Sequence, residues 1–154
     1  MQGFIRNRFV RALPALGLAL LLGACATVKA PILQVEGLKM GKVGVTGAGM
    51  EVAFRVRNPN PESVLVERFD YELFLNGHRL GRGFQPDAVD LPGFKDERVV
   101  SRFDLNFLSL PGAVKAVLED DRAKAKVKGH FYVRRGSGLK RMGFSSDAEV
   151  KINR

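Results

Sequence analysis

From Pro31 onward, apolar residues recur at every second position, the spacing of strands that bury one face and wet the other. Met50, Val52, Phe54 and Val56 alternate with Glu51, Arg55 and Arg57, so a strand here has an apolar side and a charged side. Phe69, Tyr71, Leu73 and Leu75 repeat the scheme against Asp70, Glu72 and Asn76. Val99, Phe103, Leu105 and Phe107 continue it, as do Val127, Phe131 and Val133, and finally Phe144, Ala148, Val150 and Ile152. A first strand is expected over residues 32–40, followed by a flexible, Gly-rich hairpin connection at 41–49. Asn76-Gly77 is a strong hairpin signal, because both residues tolerate the positive φ of a type I′ turn, and a return strand through Leu80 would pair with its predecessor. Gly136-Ser137-Gly138 reads as the turn before the last strand. One segment breaks the period: Ala113, Val114, Val117 and Leu118 fall at helical spacing, with Ser109 as N-cap and Pro111 in the first turn. The expected fold is therefore all-β with one short helix, an immunoglobulin- or fibronectin-III-like sandwich of about seven strands.

The segment upstream is of another kind. Arg6, Arg8 and Arg11 precede a run of Ala, Leu and Gly over residues 12–24, broken only by Pro14, the basic and apolar regions of an export signal. About 20 Å of helix from such a run is too short for a permanent span of the roughly 30 Å hydrocarbon core. The run ends Leu22-Gly23-Ala24-Cys25, which resembles the lipobox of a bacterial lipoprotein signal peptide. The resemblance implies cleavage before Cys25 and lipidation of its thiol, the only one in the chain. Two or three acyl chains satisfy the two-signal requirement for stable anchoring. The expected organisation is a signal peptide at 1–24, a short tether at 25–30 and one domain at 31–154. Ala26 stands where retention signals of enteric-type lipoproteins place Asp, so the resemblance favours the periplasmic face of the outer membrane.

Between the second and third strands lies Asn58-Pro59-Asn60-Pro61, in which each Pro fixes its φ and pushes the preceding Asn into an extended conformation. With Tyr71 in its strand, Asn76-Gly77, Gly81 and Gly83, the segment at 110–118 and Gly129 at the centre of a late strand, the order and spacing resemble the type 2 late embryogenesis abundant family, the water-stress and hypersensitive-response domain. The resemblance runs over nearly the whole mature chain. It implies a folded, non-enzymatic β-domain linked to desiccation and stress tolerance.

The net charge of +9 falls to +6 once the three arginines of residues 1–24 are removed. An exported chain has no access to cytoplasmic nucleic acid, so its charge faces an envelope. Lys124, Lys126, Lys128 and Arg134 mark a basic stretch that could meet anionic lipid or an envelope polymer. The plainer reading is the polar face of an exposed sheet, kept Lys-rich against aggregation. His78 and His130 lack partners at ligand spacing, so no metal site is expected; no cofactor motif, hydrolase elbow or P-loop occurs, and Glu119-Asp120-Asp121 reads as a solvated helix exit. The expected function is shielding or weak binding by a membrane-held domain. Lipid binding or transfer in an apolar groove, and an adaptor role in an envelope assembly, are the alternatives, and the oligomeric state is left open.

Overall fold

The alternating segments form eight strands in the computed structural model, which describes residues 27–109 and 121–153. In chain order they are β1 (Ile32–Val43), β2 (Gly47–Arg57), β3 (Val64–Leu75), β4 (His78–Gln85), β5 (Val89–Leu91), β6 (Asp96–Asn106), β7 (Arg122–Arg135) and β8 (Gly138–Asn153). β2 follows strict alternation, with Ala48, Met50, Val52, Phe54 and Val56 all buried. β1 and β3 do not. β1 buries Leu33 and Val35 and then Leu38 and Met40, because the pairing with β2 slips between Val35 and Gly37. β3 changes phase in the same way between Val66 and Phe69, where its register with β7 shifts. A single extra residue flips every later side chain to the other face, and a bulge is how a strand restores its apolar residues to the core.

The strands hydrogen-bond in the order β4-β3-β7-β8-β1-β2-β6, with β5 attached to the start of β3. All pairs are antiparallel except β1–β8, which run parallel through Leu38↔Ile152 and Lys39↔Asn153. The expected sandwich is thus one continuous curled sheet, its two layers joined where β8 meets β1. The edge strands β4 and β6 lie against each other, with Ser101 Oγ 3.5 Å from the Phe84 carbonyl oxygen. Between the layers, the Phe54 ring packs edge-on against Phe69 at 5.7 Å and Tyr71 at 5.0 Å, and on neighbouring strands of one layer Phe131 meets Phe144 at 4.5 Å. Such pairs add about 0.5–1.5 kcal/mol each beyond the area they bury. The interior space lined by Val56, Val66, Phe69, Val89, Leu91, Val99 and Phe131 has no room for a water molecule.

Three details differ from the expectation. The connection at 41–49 is shorter than a flexible loop, since β1 runs to Val43, β2 starts at Gly47 and Gly44 N donates to the Gly47 carbonyl at 2.7 Å. β5 is an additional strand, too short at three residues to show a period. β8 reaches back to Gly138, because its first half pairs with the end of β7 whatever its side-chain pattern. The helix expected over 110–118 lies outside the described residues, which reach a 3-10 turn at Phe107–Ser109.

Candidate functional site

The exit of β2 carries a buried polar knot. Asn58 is fully buried and Asn60 nearly so. The Asn58 side-chain amide donates to the Glu62 carbonyl at 2.7 Å and the Leu91 carbonyl at 2.8 Å, while its oxygen accepts from the Asn60 backbone N–H at 2.9 Å and the Asn60 side-chain amide at 2.8 Å. The Asn58 N–H donates to the Lys95 carbonyl at 3.0 Å. Asn60 in turn holds the incoming chain: its Oδ1 accepts from Lys29 N at 2.8 Å and its Nδ2 donates to the Lys29 carbonyl at 2.9 Å. Each buried donor and acceptor left without its partner would cost about 1–3 kcal/mol, so the knot resists change at either Asn. Both asparagines lie past the end of β2 and outside its ladder, and Pro59 and Pro61 have no N–H to offer a sheet. Lys29, within the expected tether, is therefore already part of the fold, and nothing in the sequence pattern pairs it with Asn60.

A second cluster centres on Tyr71, whose cross-strand neighbours are Gly83 on β4 and Gly129 on β7. A Cβ on Gly83 would lie 2.0 Å from the tyrosine ring, and one on Gly129 2.0 Å from the Asp70 carbonyl oxygen. Glycine at 83 leaves room for the ring itself, and glycine at 129 lets β7 approach the β3 backbone at Asp70 and Tyr71. The Tyr71 hydroxyl is buried without a hydrogen-bond partner of acceptable geometry. Desolvation pushes its pKa up to about 12, with Ser101 on β6 a smaller opposing influence. Asn76 and Gly77 form the β3–β4 turn with φ of 47° and 85°, both positive as a type I′ turn requires, and Asn76 Oδ1 accepts from Lys124 N at 2.9 Å. Gly81 sits where the β3–β4 register slips, between the pairs Leu73↔Gly81 and Phe74↔Arg79.

The basic stretch spreads over the outer face of β7 with its cations largely occupied. Lys126 pairs with Asp147 at 3.1 Å, Arg134 with Glu67 at 2.5 Å and Arg122 with Glu149 at 3.7 Å. Lys128 Nζ lies 6.0 Å from the Phe74 ring centre, and Lys124 is exposed beside Asn76. Nearby, a surface groove of about 430 Å³ runs past Asp70, Glu72, Arg82, Phe84, Lys128 and Arg141. On it, Asp70 accepts from the Tyr132 hydroxyl at 3.0 Å and lies 3.2 Å from His130 Nδ1. Hydrogen bonds from Arg79 and then Arg82 hold the Glu72 carboxyl below the usual carboxylate range. His78 is exposed at the start of β4, and among the described residues no group of three or more His, Cys, Asp or Glu could hold a metal ion. Cys25 lies outside the described residues.

The family model of the late embryogenesis abundant protein, LEA_2, matches residues 53–148, which hold Asn58, Asn60, Tyr71, Gly83 and Gly129. The chain belongs to the LEA_2 family. Solved structures resemble it in fold at low sequence identity. The solution structure of an Arabidopsis thaliana protein superposes with a TM-score of 0.63 at 16% identity, covering 83% of this chain and 85% of that one. The solution structure of a late embryogenesis abundant protein gives 0.51 at 18% identity, covering 85% and 76%. No curated protein matches the LEA_2 chain significantly in sequence.

Proposed function

We propose that this LEA_2 domain is the non-catalytic head of an envelope lipoprotein, held at a membrane through Cys25 and protective in desiccation or envelope stress by weak contact with lipid or with unfolding protein. The observation that carries the reading is the grip of Asn60 on the Lys29 backbone, which brings the ordered domain to within four residues of Cys25. A tether that short suits a domain working at a membrane surface. The described strands turn a largely polar, charged face outward and pack an apolar one inward, which suits shielding better than turnover. Among the described residues, the space between the layers beside Val56, Phe69 and Phe131 is too small even for water, which speaks against an acyl chain there; a groove between the sheet and the segment at 110–118 involves residues outside the described ones.

Replacing Cys25 by Ser tests the anchor. The protein should leave the membrane fraction or persist as a precursor, and metabolic lipid label should be lost. Unchanged fractionation without label on the native chain would overturn the lipoprotein reading. The stress role is tested by deleting the gene: survival of drying and osmotic shock should fall, and unchanged survival would remove it.

A further inference from the structure

The knot that holds Lys29 also holds a second element. The Asn60 carbonyl accepts from Phe94 N at 3.0 Å, Lys95 N donates to the Pro92 carbonyl at 3.1 Å, and a Cβ on Gly93 would lie 1.9 Å from the Pro61 carbonyl oxygen. The loop between β5 and β6 is thereby locked against the Asn-Pro segment. What it displays is Phe94, 60% exposed and at φ 56°. A bulky residue in the left-handed region is a strained outlier that persists only where its surroundings impose it, and an exposed aromatic gains nothing from that strain in the isolated domain.

Position gives the strained aromatic a purpose. β1 starts at this end, β2 ends here and β3 starts here, and the register Val66↔Val133 brings the β7–β8 hairpin with exposed Leu139 to the same end. Phe94 and Lys29 are each one hydrogen bond from Asn60, and four residues of extended chain from Lys29 to Cys25 span at most about 14 Å. An anchor on Cys25 therefore keeps this end close to the bilayer. The opposite end, with the turn after β1 and its exposed Val45, is held away from it.

On the lipoprotein reading above, we infer that the Asn-Pro end is the face the domain lays on the lipid surface, with Phe94 seated at headgroup depth. Exposed apolar side chains such as Phe seat at the boundary of headgroups and acyl chains when a protein segment lies on a bilayer. Charge at this end is mixed, with Lys29, Lys95 and Arg135 against Glu62, Asp87 and Glu97, so the contact rests on the aromatic and not on anionic lipid.

The test uses the full lipid-bearing chain reconstituted in zwitterionic phosphatidylcholine vesicles. Its one native thiol is occupied by lipid, so a cysteine introduced as Glu62→Cys or Val45→Cys takes a polarity-sensitive dye alone. The dye at 62 should be quenched by a headgroup-depth lipid quencher at least threefold more than the dye at 45. Adding Phe94→Ser should remove most of that difference while circular dichroism stays unchanged. Equal quenching at the two positions, or no effect of Phe94→Ser, on a vesicle-bound chain overturns the inference and leaves Phe94 to a protein partner. Lack of lipid mass on the Cys25 peptide overturns the anchoring reading itself and is seen separately by mass spectrometry.

Discussion

Tyr71 shows how one residue can specify its neighbours and still be left incompletely satisfied. Its ring requires Gly83, its backbone is approached closely by Gly129, and burial leaves its hydroxyl without a proper partner. An unfolded tyrosine ionises near pH 10, whereas the buried one holds its proton to about pH 12. The folded state therefore binds the proton more tightly, and stability falls as pH rises through that window, by about 2–3 kcal/mol in full. Tyr71→Phe keeps the ring and removes both the unpaired hydroxyl and the titration. Urea unfolding at neutral pH should show it as stable as the native chain or up to about 1 kcal/mol more so. Between pH 10 and 12 its stability should fall less steeply than that of the native chain; parallel curves would mean that Tyr71 is not the titrating group. The need for this tyrosine's flanking glycines could be seen in the sequence only as spaced motif positions, because the two lie 12 and 58 residues from Tyr71 and meet it only across strands.

At the scale of the element, β2 is the strand whose sequence states its structure most directly. Val56 is buried and Arg55 exposed, one residue apart. Val56→Lys should cost about 4 kcal/mol or more in urea unfolding, since it buries an unpaired charge. Arg55→Glu loses its ion pair with Glu36, but Arg98 still reaches that carboxylate at 3.3 Å, and the cost should stay under about 1 kcal/mol. Comparable losses from the two would contradict the burial assigned to β2. Strands β1 and β3 were less legible. Their alternation is broken by bulges whose positions follow from the register of the partner strand, which no local window contains.

The whole molecule depends on its last strand. β8 pairs with β7 along its length and reaches β1 only through its final residues, so a short C-terminal stretch joins the two layers. Val150 and Ile152 are both buried there. Removing residues 148–154 takes away about 3–6 kcal/mol of burial together with the parallel contact, against the 5–15 kcal/mol on which a domain of this size ordinarily rests. The truncated chain should lose cooperative thermal unfolding and near-ultraviolet circular dichroism, while unchanged cooperativity would show that the layers hold without β8. The same architecture gives the domain two unlike ends. The described residues of one end combine the Asn knot, the start of β1 and Phe94; the other end carries the turns after β1 and β3.

Read alone, the sequence determined the all-β class, the apolar face of most strands, the Asn76-Gly77 turn and the family, because these rest on local periodicity, on φ preferences and on the order of short motifs. Tertiary structure decided the bulges, the short β5, the parallel closure of β1 on β8 and the partners of Asn58, Asn60 and Tyr71. Each of these depends on groups distant in the chain meeting at hydrogen-bond or van der Waals range, and that proximity is a property of the packed strands and not of any stretch of residues.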